Sequence, residues 1–263
     1  MKLIQISDLH IIAPGEKIYG LDPLQRLNTC IADININHSD AEYCVITGDL
    51  TDLGEIDAYR ALREALAQLR IPFYLLLGNH DDRRRFLEIF PESEQDGSGF
   101  VQYTRRTAVG DFFFLDTLDQ GKSGGLYCES RREWLRQRLQ ESDGRPVYLF
   151  MHHPPFDIGI RGLDAIRLME PESFAELIAD YSNIKHLFFG HVHRPVSGSW
   201  RGIPFSAIVS TNHQVAMDFE APRIIHSGGD PGYNVVLLDQ DLSVIHMHSY
   251  VENPVWLKRD MAS

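Results

Sequence analysis

Five short clusters along this chain combine carboxylate, imidazole and carboxamide side chains: Asp8-Leu9-His10, Gly48-Asp49, Gly78-Asn79-His80-Asp81, His152-His153 and His191-Val192-His193. Such donors form a hard-to-borderline ligand set suited to Fe, Mn, Zn or Co, with no thiolate required. The same groups can move protons near neutral pH. Taken singly, each cluster has a plain structural alternative. Asp49 could cap a helix, and Asp81 or Asp82 could cap one over 83–90. Asp8 with His10 could be a polar loop, His191 with His193 exposed turn residues, and His152 a hydrogen-bonded core histidine.

Position argues against five accidents. Each cluster follows an apolar run that reads as a buried strand, over 2–7, 43–47, 73–77, 147–151 and 184–189. In open α/β sheets the carboxyl ends of the strands form one edge, and ligands bind there. Five loops from distant parts of the sequence are therefore expected to converge. In an extended D-x-H or H-x-H stretch, alternate side chains leave the backbone on one side, so both members of each pair should reach one cavity.

The intervening segments supply the helices such a sheet needs. Asp22-Pro23 is a capping residue followed by proline at the first helical position, and Leu24, Leu27, Ile31 and Ile34 then repeat at helical spacing. Residues 55–70 are amphipathic, with Tyr59, Leu62, Leu66 and Leu69 on one face. The order βαβαβ implies a parallel sheet with right-handed crossovers. Further on, 100–108 and 111–116 read as strands, 130–140 and 172–181 as helices, 235–238 and 243–250 as final strands, and the residues from Asn253 as a tail. No repeat or low-complexity linker interrupts 1–263, which reads as a single domain.

The 263 residues carry a formal charge of −12. That balance argues against a nucleic-acid polymer or an anionic membrane as partner, since both need a basic footprint. No apolar run approaches the ~20 residues that span a bilayer, and Met1 to Ile6 turns polar too soon for a secretory signal. The three cysteines, Cys30, Cys44 and Cys128, lack metal-type spacing. Cys30 and Cys44 read as buried thiols, which suits a reducing cytoplasmic setting.

In their order and spacing, D-x-H, G-D, G-N-H-D, H-H-P-P and G-H-x-H resemble the calcineurin-like metallophosphoesterase superfamily, from Asp8 to His193. The stretches Gly15-Glu16-Lys17-Ile18-Tyr19-Gly20, Met151-His152-His153-Pro154-Pro155 and Asn212-His213-Gln214-Val215 are most similar to bacterial class III cyclic-nucleotide phosphodiesterases and the related glycerophosphodiesterases. This resemblance implies an α/β fold, a two-sheet αββα sandwich with a small C-terminal cap. Residues 195–232 would be a cap or dimerisation insertion, in a homodimer or higher homo-oligomer; a simple extension of the sheet is the alternative.

The resemblance further assigns Asp8, His10 and His193 to a first metal ion and Asn79, His152 and His191 to a second, with Asp49 bridging both. His80 would be unligated and face the substrate phosphate, making His80, Asp49 and Asn79 the catalytic set. Asp81 would orient a neighbouring histidine and His153 would support the metal ligands from behind. His213, in a short segment after the last motif, could close over the substrate or be a surface-loop histidine. No motif surrounds His38, His186, His226, His246 or His248, which are left as structural. The implied reaction is hydrolysis of a small phosphodiester, a cyclic nucleotide or glycerophosphodiester, by in-line attack of a metal-bridging hydroxide. A phosphomonoesterase on the same scaffold and a non-catalytic metal-dependent binding protein are the alternatives. Few cations lie in the candidate loops (Lys17, Arg161, Arg194), and all three could be solvated surface charges; their scarcity suits a singly charged diester.

Overall fold

Three short strands, Lys2–Ile6, Tyr43–Ile46 and Phe73–Leu75, pair in parallel and place their carboxyl ends side by side. The computed structural model describes residues 1–251, and the expected tail from Asn253 lies outside them. Two antiparallel strands, Gly232–Asp239 and then Leu242–Ser249, complete a five-stranded sheet beyond Lys2–Ile6. A six-stranded sheet runs in the order Ser197–Trp200, Ile203–Ala207, Ile184–Phe189, Val147–Met151, Asp111–Phe114, Tyr103–Arg106. Its four inner strands are parallel and its two edge strands antiparallel.

Side-chain alternation explains how the sheets stack. Phe112, Phe114, Tyr148, Phe150 and Phe188 face a core shared with the first sheet. Their neighbours Phe113, Leu149, Met151, Leu187 and Phe189 face the opposite core, under helices Glu129–Glu141 and Pro171–Ala179. The first sheet is covered by helices Pro23–Asn37 and Ile56–Leu66. The layers are thus helix, sheet, sheet, helix, as expected. Phe114, Phe150 and Phe188 stand in register and stack with centroids 5.3 and 4.8 Å apart, and truncating one would cost about 3–5 kcal/mol.

Local signals held at most boundaries. Asp22 caps its helix by accepting from the Gln25 amide, and Asp82, rather than Asp81, caps Arg83–Ile89 through the Arg85 amide. The helix expected over 55–70 spans only Ile56–Leu66. Beyond Leu66 the amides of Gln68 and Leu69 bond three residues back, to the Ala65 and Leu66 carbonyls, so the helix tightens into turns before Ile71-Pro72. Within 195–232, the two strands Ser197–Trp200 and Ile203–Ala207 widen the second sheet. A ribbon of Gln214–Val215 paired antiparallel with His226–Ser227 follows. Cys30 and Cys44 are buried free thiols. Among the described residues, no helix is long and apolar enough to cross a membrane.

Candidate metal centre

The clustered loops do converge, but from two sheets rather than one edge. Three leave the first sheet, after Ile6, Ile46 and Leu75, and two leave the second, after Met151 and Phe189. Backbone hydrogen bonds sew the ends together: Asp8 N–H to Gly48 O, His10 N–H to Asp49 O, and Gly190 N–H to His152 O, at 3.0 to 3.2 Å. Nor are the D-x-H and H-x-H stretches extended. Asp8, His10, Asp49, His191 and His193 all take positive φ, between 47° and 69°. Left-handed backbone at a non-glycine residue is uncommon and costs on the order of 1–3 kcal/mol, and it clusters where function fixes a side chain. Convergence here comes from five sharp kinks, not from β alternation. Close approach also explains two glycines. A Cβ on Gly78 would overlap the Asp49 carboxylate and the His152 ring, and one on Gly190 would overlap the Ser7 hydroxyl.

Three of the imidazoles are held by Nδ1 so that Nε2 faces inward. His10 Nδ1 donates to Asp52 Oδ1 at 2.9 Å, His152 Nδ1 to Thr47 O at 2.7 Å, and His193 Nδ1 to His213 O at 2.7 Å. Carbonyls only accept, so the tautomers follow. One group of inward atoms comes from Asp8, His10, Asp49 and His193, all within 4.8 Å of one another. A second comes from His152, His153 and His191. Asp49 stands between them, with Oδ2 3.7 Å from His10 Nε2 and Oδ1 3.4 Å from His152 Nε2. The 3.4 Å approach attracts but is misaligned for a hydrogen bond, and His152 Nε2 stays unpaired; so does the buried Asn79 Oδ1. Unpaired buried polar atoms of this kind are costly unless something binds them. The donor chemistry and these orphaned atoms fit two metal ions bridged by Asp49.

Charge follows the same geometry. Burial works to raise the Asp8 carboxyl, but His193 beside it brings it down to about 2. Burial disfavours the His152 imidazolium, yet Asp49 and Asp8 lift it to about 9. His191, buried and next to His152, is pushed down to about 3.

The model of the calcineurin-like phosphoesterase family matches residues 1–195. A "Probable cyclic nucleotide phosphodiesterase" of Rhodopseudomonas palustris is 42% identical over 99% of this chain and 97% of its own. The chain belongs to the calcineurin-like phosphoesterase family. A "Probable glycerophosphodiester phosphodiesterase" of Arcobacter nitrofigilis is 34% identical, covering 83% of this chain and 81% of its own. In fold, the chain resembles a dimetal phosphatase from Danio rerio with TM-score 0.70 at 16% identity, over 95% of this chain and 96% of that one.

For this calcineurin-like chain, the supporting residues differ from expectation in three places. Asp81 orients no histidine. Its carboxylate accepts from the Gly78, Leu50 and Thr51 amides and the Tyr59 hydroxyl, at 2.9 to 3.1 Å, and so locks the loops after Ile46 and Leu75 together. The orienting carboxylate is Asp52, absent from the sequence assignment. Besides holding His10, its backbone carbonyl accepts from His80 Nδ1 at 2.8 Å. The loops after Ile6 and Ile46 run side by side through the Ile11–Thr51 bridge, which brings Asp52 opposite His10. His226, left as structural, instead lines the site cavity with His213. His153 is fully buried behind His191, ring centroids 4.7 Å apart, with Nδ1 on the Thr117 hydroxyl. His38 and His186 lie outside the centre, His186 bonding Ser206 Oγ.

The cavity itself holds about 310 Å³, at the small end of pockets for small molecules. His80, Asn79 and His213 border it on the metal side, and Leu163, Ile166 and Ile224 supply apolar surface. Among the described residues, no lysine or arginine lines it. Arg194 is tied to the Val215 carbonyl at 2.7 Å and Arg161 lies 3.3 Å from Glu220.

Proposed function

We propose that this protein is a two-metal hydrolase of small phosphodiesters, in the class of cyclic nucleotides and glycerophosphodiesters. One observation carries it: the two oxygens of Asp49 face two separate ligand groups, as a bridging carboxylate must. Asp8, His10 and His193 would hold one ion, and Asn79, His152 and His191 the other, drawn from Fe, Mn, Zn or Co. When bound, two such ions supply Lewis-acid neutralisation of phosphoryl oxygens and acidify water.

The chain's own groups do the rest. His80 is half-buried with its Nδ1–H fixed on Asp52, which leaves Nε2 to serve the substrate. Burial opposes its imidazolium, while the neighbouring Asp49 and the Asp52 carbonyl raise its pKa, which suits Nε2 to donate to the leaving alkoxide. A cavity lined by no lysine or arginine among the described residues suits the single charge of a diester better than the dianion of a monoester. The names of the two relatives above support the same class.

Reconstitution with Mn²⁺ and parallel assays of bis-p-nitrophenyl phosphate and p-nitrophenyl phosphate test the proposal. Faster diester turnover, abolished by Asn79→Ala, is expected; monoester preference would make the protein a phosphatase. Absence of turnover with each of the four metals would leave a binding protein. His80→Ala should retain both ions by metal analysis while kcat falls ~10²–10⁴-fold, the usual worth of a general acid. A drop in metal content would instead make His80 a ligand.

A further inference from the structure

We propose that Tyr19 and His226 form a stacking platform for a planar heteroaromatic ring on the substrate's alcohol, so that the site selects nucleoside-derived diesters over aliphatic ones. The inference rests on the phosphodiesterase reading and adds to it the group that sets selectivity. Both residues line the site cavity. Their rings are stacked on each other, centroids 5.0 Å apart and planes 26° apart. His213 meets both edge-on, at 5.1 and 4.9 Å, and itself lies 4.7 Å from His193 and 4.9 Å from His10. The platform is therefore one imidazole ring removed from the metal ligands. That offset leaves room for a sugar between the reacting phosphate and a base. Leu163, Ile166 and Ile224 give the same cavity the apolar surface that a base favours and a polyol does not.

Tyr19 is placed at a local cost. Ile18 and Leu21 exchange two backbone hydrogen bonds of 2.9 Å around a two-residue turn, and both central residues, Tyr19 and Gly20, have positive φ, 52° and 81°. Such turns favour Asn-Gly or Gly-Gly, and a bulky aromatic at the first position is an outlier. The side chain is also 66% exposed, so core packing does not account for it. A flat ring held over a cavity mouth, against backbone preference and without burial, fits recognition of a π face. Stacking of this kind tolerates different bases, which predicts activity on both purine and pyrimidine cyclic nucleotides.

The test is the ratio of kcat/KM for 3′,5′-cyclic AMP to kcat/KM for glycerophosphocholine, in Mn²⁺-loaded protein. Tyr19→Gly removes the ring and suits the positive φ, so it leaves the turn unstrained. We expect that variant and His226→Ala each to lower the ratio roughly 5- to 100-fold, the usual range for loss of one base–aromatic stack. The dissociation constant of adenosine 5′-monophosphate should rise by a similar factor, and His226→Phe should restore the ratio. An unchanged ratio in both variants, or equal loss on both substrates, overturns the platform. If wild-type protein cleaves bis-p-nitrophenyl phosphate and glycerophosphocholine but not cyclic AMP, the platform fails and the phosphodiesterase reading stands. If it cleaves no diester with any metal, both fall.

Discussion

The two halves of the metal centre are built differently. Asp8, His10, Asp49 and His193 are all in left-handed backbone, whereas Asn79 and His152 are not, and in the second half only His191 is. The first half has a carboxylate of its own in Asp8 and a further one behind it, Asp52 on His10. The second half offers a neutral amide and two imidazoles, shares Asp49, and is backed at His152 by a backbone carbonyl. A carboxylate behind a metal-binding imidazole raises its basicity and fixes its ring. The fold has thus put its strain and its negative charge into the first half, which should bind its ion tightly. The second half should exchange its ion more readily.

Removing the shared ligand should erase the distinction. In Asp49→Ala both halves lose a carboxylate, and metal content should fall below one ion per chain. Loss of several kcal/mol of charge stabilisation corresponds to about 10³-fold or more in kcat/KM. Retention of two ions would mean that Asp49 bridges nothing. Removing only the outer carboxylate should separate the halves. Asp52→Asn is expected to weaken the first ion ~10–100-fold, the usual effect of losing such a partner, while the second ion's affinity holds. Titration of apo-protein with Mn²⁺, read by calorimetry in both variants, checks the two outcomes together. Equal weakening of both sites by Asp52→Asn would remove the asymmetry.

How legible this was in the sequence depends on the range of the causes. Buried strands and the clusters that follow them could be read, because apolar runs and polar exits are local. Helix starts at Asp22 and Asp82 were readable for the same reason. Asp52 was not, because its role comes from two loops lying side by side, a tertiary relation that no spacing encodes. Asp81 stood next to His80 and drew the assignment, yet its carboxylate faces Tyr59 and backbone amides. The kinks at Asp8, His10, Asp49, His191 and His193 were also hidden, since they violate the local preferences that sequence reading relies on. His226 sits on a strand of two residues, too short to show any period.

The smallest expected effect concerns protons, and in it the two halves should behave alike. Metal-binding imidazoles must be neutral. In the first half burial opposes charge on His193, but Asp8 raises its pKa, while burial keeps His10 lowered. In the second half His152 is lifted to about 9 and His191 lowered to about 3. Each half therefore pairs one ring whose pKa is raised with one whose pKa is lowered. For the second half the window is explicit: below about pH 9 the entering ion must displace a proton from His152. Its apparent affinity should rise about tenfold per pH unit from 6.5 toward 9 and then level off. Without metal the linkage has the opposite sign. The folded chain keeps a proton on His152 that the unfolded chain releases near 6.5, so apo-protein stability should fall as pH rises from 6.5 to about 9. Calorimetric metal binding in buffers of different ionisation enthalpy counts the protons, and thermal melts of apo-protein follow the stability. A second-site affinity that stays flat between pH 6.5 and 8 would mean that His152 is already neutral, and that Asp49 does not hold the charge its position between the two halves requires.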